Sequence, residues 1–321
     1  MGERSFTKEE EKKIIVPIVE RLVEMHGEPQ IIRKRKKEAT IVGIQGGQGT
    51  GKTTIVKFLE KHLEREGYQV QSFSIDDFYK TWKERKKLQE KYPSNPFYQI
   101  SRGLPGTHRV KFLLEMLRKA KAGKDFEIPL FDKSLYGGKG DVLKKTRKIK
   151  GRQDFILFEG WCVGIPSVSS QKFWSICNKN NINITKLDPN GKHHKIVLSF
   201  IKQYQPLWKL LDYTIMLKAD SPEVHKKWRL LQEQKLKQKK GQGMSKQEVE
   251  QFVEPFLPFT YVGYDLIKRN AMAMIDEKHN FYRLYLWPPT ALDKLQLEVH
   301  EAEVELERRR FEAAKRIGPA Y

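Results

Sequence analysis

The 321-residue chain is 39% hydrophobic and 11% aromatic, ample for a buried core of one large or two ordinary domains and unlike a disordered or fibrous composition. Lysine and arginine number 61 against 40 acids, a formal charge of +21 that favours anionic partners without choosing among nucleotides, acidic metabolites, nucleic acid and membrane surfaces. Two cysteines, Cys162 and Cys177, exclude a disulfide framework and suit a reducing compartment, and no stretch approaches the length of a membrane span. The start, Met1 to Lys13, is charged and lacks the apolar run of a secretory leader. Gly2 is followed by Glu3 and Phe6 where a myristoylation signal wants Ser or Thr. These features read as a soluble, cytoplasmic-type protein.

In chain order, apolar residues at 14, 15, 18, 19, 22 and 23 keep helical spacing and predict a helix from Thr7 to Met25. The run Arg33-Lys34-Arg35-Lys36-Lys37 reads as a solvated basic linker. Ala39-Thr40-Ile41-Val42-Gly43-Ile44 predicts a buried strand. Directly after it, Gly46-Gly47-Gln48-Gly49-Thr50-Gly51-Lys52-Thr53 fits G-x-x-x-x-G-K-[ST], a phosphate-binding loop between strand and helix. The residue types suit a nucleoside triphosphate such as ATP. Glycines let backbone N–H groups close around phosphates, Lys52 supplies a point charge for the β- and γ-phosphates, and the Thr53 hydroxyl ligates Mg²⁺, with Thr54 beside it in the same cradle. Apolar residues at 55, 56, 58, 59 and 63 then predict a helix whose N-terminus faces the anion.

Val70–Ile75 predicts a second strand, Phe155–Phe158 a third, and Tyr213–Leu217 and Tyr282–Leu286 two more. Helical stripes lie between them, giving a parallel sheet covered on both faces. Asn178 to Lys195, rich in Asn and Lys, reads as a surface insertion with too little apolar content to pack. Ser221-Pro222-Glu223 opens a cationic helix running through Lys226, Lys227, Arg229, Lys235 and Lys237 to Gly241-Gln242-Gly243, and Ser245 with Glu248 forms a capping box for the next helix. Two helices hinged at a glycine-rich break resemble a mobile lid. Leu292, Leu295, Val299, Ala302 and Leu306 predict a charged C-terminal helix. The organisation expected is an N-terminal helix and linker over 1–38, a P-loop unit over 39–290 with an insertion at 178–195 and a lid at 221–245, and a C-terminal helix over 291–321. The fold class is α/β, a three-layer P-loop NTPase fold with a mostly parallel sheet of about five strands, helices on both faces and a helical lid.

The second strand ends in Ser74-Ile75-Asp76-Asp77-Phe78-Tyr79, which puts carboxylates at the carboxyl end of a strand beside the phosphate loop, where open α/β sheets bind ligands. From there Asp76 reaches both Mg²⁺ and an acceptor hydroxyl. This combination resembles the P-loop small-molecule kinases that include phosphoribulokinase, uridine kinase and bacterial pantothenate kinase, in which the acid matching Asp76 is the catalytic base or a metal-linked acid. Further segments, Arg102-Gly103-Leu104-Pro105-Gly106-Thr107-His108, Pro129-Leu130-Phe131-Asp132-Lys133-Ser134, Gly137-Gly138-Lys139-Gly140-Asp141, Phe158-Glu159-Gly160-Trp161, Trp228-Arg229-Leu230-Leu231-Gln232-Glu233 and Gly243-Met244-Ser245, are similar to the plant and cyanobacterial D-glycerate 3-kinases over residues 40 to 260. The resemblance implies transfer of the ATP γ-phosphoryl group to a glycerate hydroxyl. Phosphoryl transfer needs a phosphate cradle, a metal, an acid near the acceptor and cations around the transferring group. Lys52, Asp76 and Arg229 are the catalytic candidates, Thr53, Asp76 and Glu159 the Mg²⁺ candidates, and Asp77, Tyr79, Arg102, His108, Lys133 and Ser134 the candidates for binding a small hydroxy acid.

Two positions depart from the family's pattern, Arg109 where Asp usually follows Thr-His and Val142 where Arg usually follows Gly-Asp. Both bear on the acceptor, so another small acceptor, such as a sugar acid, a pantothenate-like molecule or a nucleoside, stays open. Lys144, Lys145 and Arg147 are the residues available to replace the missing cation. A basic nucleic-acid-associated P-loop ATPase is the alternative class, but the basic runs at 33–37, 144–150 and 308–316 lack interleaved stacking aromatics, so nucleic acid is not the expected partner. The expectation is a monomer or homodimer acting on a small molecule, away from membranes.

Overall fold

A computed structural model describes residues 6–33, 38–221, 223–240 and 244–288, with 299, 302, 303, 305, 306, 309 and 310 near the C-terminus. The centre is a six-stranded sheet in the order β2-β5-β1-β6-β7-β8. Its strands are β1 (Thr40–Gly46), β2 (Val70–Ser74), β5 (Phe155–Gly160), β6 (Tyr213–Ala219), β7 (Ala271–Ile275) and β8 (Phe281–Leu286). All neighbours pair in parallel except β7 with β8. Every residue of β1 and β5 is buried, as expected of central strands that read as unbroken apolar runs. Alternation along them feeds two cores. Ile41, Ile156 and Phe158 face one layer, while Val42, Ile44 and Leu157 face the other.

The second layer is closed by the N-terminal helical segment, where Thr7 makes a capping box with Glu10 and the chain runs through a π turn, Glu11–Ile15, into α1 (Val16–Arg33). Ile14, Ile15, Ile18 and Leu22 are buried there against Ile55, Leu59 and Leu63 of α2 (Lys52–Arg65). On the opposite face lie α4 (Val110–Lys121), α5 (Ser170–Lys179) and α6 (His193–Trp208). A polar helix, α3 (Trp82–Lys91), precedes α4. After β6 come α7 (Glu223–Lys240), α8 (Lys246–Val253) and α9 (Leu257–Leu266). The capping box of Ser245 and Glu248 opens α8. The break at Gly241-Gln242-Gly243, Pro222, and Lys34 to Lys37 of the linker lie outside the described residues, as do Leu292 and Leu295 of the C-terminal stripe. Val299, Ala302 and Leu306 are helical, with Val299 and Leu306 about half exposed.

The structure adds to the sequence reading at two points and departs from it at a third. The sheet gains a sixth strand, β7, whose sequence Ala-Met-Ala-Met-Ile has no aromatic residue and only Ile275 among the β-branched residues that mark a strand. Its partner β8 runs antiparallel because only five residues, Asp276 to Asn280, separate them, too few for a crossover but enough for a turn closed by Asp276 N–H donating to the Asn280 carbonyl at 3.1 Å. A separate antiparallel pair, β3 (Phe126–Asp132) and β4 (Asp141–Ile149), carries the segments around 129–150. Lastly, the 178–195 segment does pack. Ile184 and Leu187 are buried, and the fully buried Asp188 accepts the backbone N–H groups of Lys192, His193 and His194 at the start of α6. Asp188 also receives His194 Nδ1–H at 2.5 Å, which leaves Nε2 to accept from the Ser170 hydroxyl at 2.5 Å. Such an Asp-His-Ser line has the connectivity of a hydrolytic triad. His194, however, is fully buried and stacked flat on Phe173 at 4.7 Å, with no open imidazole edge for a leaving group, so the line acts as a polar staple between helices.

Candidate active site

The carboxyl ends of β1, β2 and β5 meet at one edge of the sheet, with Ser74 beside Glu159 and Gln45 beside Gly160 in the register. There the 46–53 loop turns into α2 through Gly51, whose φ of +87° suits glycine. Lys52 folds over the loop and donates to the carbonyls of Gly46 and Gly47 at 3.0 Å each. The Thr50 hydroxyl closes the same turn on the Gly47 carbonyl at 3.0 Å. Burial pulls the Lys52 ammonium below its ordinary value, while the Glu159 and Asp76 carboxylates support its charge. Thr53 donates to Glu159 Oε1 at 3.3 Å, and burial pushes the Glu159 carboxyl up against the opposing pull of Lys52.

Asp76 sits on a 3₁₀ turn, Ile75–Phe78, that follows β2. The Tyr79 hydroxyl donates to one of its oxygens at 2.7 Å and Lys133 Nζ to the other at 3.0 Å. Burial alone would raise this carboxyl, but the Lys133 charge, the Tyr79 hydrogen bond and the nearby His108 outweigh it and hold it at about 2. His108 stacks on Tyr79 at 4.6 Å, bonds Tyr204 through Nδ1 at 2.8 Å, and is pushed by burial to about 4. Arg229 of α7 lies 4.7 Å over the Phe252 ring, pairs with Glu233 at 2.6 Å, and feels the charges of both Arg102 and Asp76.

Thus Lys52, Asp76, Tyr79, His108, Lys133 and Glu159 come together, with Arg102 and Arg229 bordering them. Others among the candidates have different employment. Asp77 accepts the Ser74 backbone N–H at 3.0 Å and caps the 3₁₀ turn. Ser134 donates to Asp132 at 2.6 Å, and Arg102 donates to the Gly138 carbonyl at 2.6 Å, tethering the glycine turn that links β3 to β4. At the two departures from the family pattern, Arg109 lies 5.1 Å over Phe112 and feels Glu84, and Val142 is the second residue of β4. Of the substitute cations, Arg147 donates to the Ser72 carbonyl at 2.7 Å, which binds β4 to β2, while Lys144 and Lys145 are exposed.

Sequence reading missed Arg85, which looks like one more cation of a charged helix. Its side chain is only 1% exposed and donates to the carbonyls of Lys80, Ser101, Lys139 and Gly140, joining the two connections that carry Arg102 and Lys133. It also missed His225 and gave no role to Trp228, both packed against the back of the phosphate loop. The available signal was Gly47 and Gly49, glycines the motif itself does not require. A Cβ on Gly47 would lie 2.3 Å from the His225 ring, and one on Gly49 2.7 Å from Trp228 Cβ. Among the described residues no three His, Cys, Asp or Glu side chains converge as a metal site, and no helix is long and apolar enough to cross a membrane.

No family model matches the chain. It is 37% identical over 232 residues to an uncharacterized kinase, mug58, of Schizosaccharomyces pombe, covering 70% of this chain and 80% of that one. It is 29% identical over 225 residues to the chloroplastic D-glycerate 3-kinase of Arabidopsis thaliana, covering 68% of this chain but only 46% of the plant enzyme. Its fold matches the D-glycerate 3-kinase of Cryptococcus neoformans with a TM-score of 0.77 at 24% identity, over 85% of this chain and 99% of that one. With a phosphate loop, a strand-end acid and this kinship, the chain belongs to the P-loop kinases, as an ATP-dependent small-molecule kinase that is similar to D-glycerate 3-kinases.

Proposed function

We propose that this kinase transfers the γ-phosphoryl group of ATP to a hydroxyl of D-glycerate, giving 3-phosphoglycerate and ADP, with residues 39–290 as the kinase unit. The observation that carries the reading is Asp76 held between Tyr79 and Lys133 beside the phosphate loop, with Arg102 and Arg229 at its border. A small hydroxy acid needs a fixed cation for its carboxylate and an acid for its hydroxyl, and Lys133 and Asp76 are 3.0 Å apart. The acceptor oxygen attacks the γ-phosphorus as the bond to the β–γ bridging oxygen breaks, and its proton passes to Asp76. A carboxylate held at about 2 is ionised at neutral pH, so its part is chiefly to orient the hydroxyl and take the proton as the new bond forms. The loop N–H groups, Lys52 and Arg229 balance the charge of the transferring group.

The oxygen donors of Thr53, Asp76 and Glu159 suit Mg²⁺, which takes one or two carboxylates and completes its shell with phosphates and water. Bound there, the ion would neutralise charge on the β- and γ-oxygens. The test is a coupled ADP-release assay over glycerate, pantothenate, uridine and ribulose 5-phosphate. Glycerate-dependent release is expected. None at millimolar glycerate removes that acceptor, and release with uridine alone points to a nucleoside.

A further inference from the structure

His225 and Tyr264 form a polar brace behind the phosphate loop that the kinase chemistry does not explain. His225 is 1% exposed on α7, and Tyr264 is 2% exposed on α9. A carbonyl can only accept, so the 3.0 Å contact between His225 Nδ1 and the Gln48 carbonyl fixes the proton on Nδ1. Nε2 of the neutral ring is then an acceptor, and it faces the Tyr264 hydroxyl at 3.4 Å. Tyr264 oxygen in turn accepts from backbone N–H groups of Ala219 and Gly47. Each partner therefore has one consistent direction of donation. In a trans peptide the carbonyl of Gln48 and the N–H of Gly49 point opposite ways. Drawing the carbonyl toward α7 turns the Gly49 N–H toward the other face of the loop. That face is the one left for an anion, because the His225 ring and Trp228 fill the near face so closely that Gly47 and Gly49 have no room for a Cβ.

We propose that His225 is a positioning residue for the triphosphate, aiming the Gly49 N–H by holding the Gln48 carbonyl, with Tyr264 fixing the imidazole tautomer. The inference rests on the phosphate-loop reading and assigns His225 no contact with substrate. Trp228 strengthens the same junction, since it stacks on His279 at 4.4 Å and donates to the Glu277 carbonyl at 3.3 Å, tying α7 to the β7–β8 turn. The first turns of α7 are thereby a fixed wall of the nucleotide site.

The test is calorimetric binding of Mg·ADP and of inorganic tripolyphosphate to the full chain, with steady-state KM values for ATP and acceptor. His225→Phe should weaken both ligands by about tenfold, the worth of one hydrogen bond and its misdirected peptide, and leave the acceptor KM unchanged. His225→Asn, whose Nδ2 stands where Nδ1 stood, should recover most of the affinity, a rescue that a purely packing role would not give. Tyr264→Phe keeps the ring and removes only the hydroxyl, so it serves if His225→Phe does not fold; a two- to threefold loss on ADP is expected, about 0.5 kcal/mol. Unchanged ADP affinity in either Phe variant overturns the proposal, as does a loss for ADP that tripolyphosphate does not share. Failure of the unmodified protein to bind ADP would instead defeat the phosphate-loop reading.

Discussion

Lys133→Met isolates the charge that governs Asp76. The ammonium and carboxylate are 3.0 Å apart, but the lysine side chain is 59% exposed, so a water-like dielectric applies and Coulomb's law gives about 1.4 kcal/mol, close to one pH unit. The Asp76 carboxyl, now at about 2, should therefore move up by about one unit on loss of the lysine. The sign for stability follows from a folded value below the unfolded 3.8: ionised Asp76 stabilises the fold above that value, and the contribution is lost as pH falls through about 2. Lys133→Met should thus cost at most about 1 kcal/mol at pH 7, a deficit that vanishes at the acid end. A carboxyl-¹³C titration, with Asp76→Asn to assign the resonance, reads the shift directly. In the same variant kcat/KM for the acceptor should fall strongly while ATP affinity stays nearly unchanged. An Asp76 titration that does not move, or an ATP KM that rises as much as the acceptor KM, would refute the pairing as the basis of the acceptor site.

Lys52→Ala should lower turnover by at least ~100-fold in the ADP-release assay with little change in the unfolding midpoint, because a loop cation contributes charge rather than packing. Arg85→Leu should destabilise by about 3 kcal/mol in urea unfolding, since it strips donors from four carbonyls, and a cost below about 1 kcal/mol would mean that water replaces the guanidinium there. Glu159→Gln should abolish turnover yet raise the unfolding midpoint at pH 7. The native carboxyl is raised by burial, so its penalty is full above the folded value and absent below about pH 4.5, where the two proteins should unfold alike. Asp188→Asn should lower stability measurably with ATP and acceptor kinetics intact, because all its partners belong to the staple between α5 and α6.

The sequence by itself determined the parts whose physics is local. A glycine-rich loop between an apolar run and an amphipathic stripe has one sensible geometry, so the strand, the phosphate loop, Lys52, Thr53 and the helix were legible, as was the capping box at Ser245. Asp76 was legible because its place at the end of a strand follows from the run before it. Tertiary structure decided what depends on partners distant in the chain. β7 is a strand because it is buried between β6 and β8, not because Ala and Met prefer one. The carboxylates at 76 and 77 look alike in sequence, yet one meets Lys133 from 57 positions away and the other caps its own turn. The 178–195 segment packs through Asp188, whose burial is repaid by donors at the start of the next helix rather than by apolar area. Arg85 and His225 have no local signature, since what defines each is the set of backbone carbonyls it finds, and only the folded chain brings those within reach.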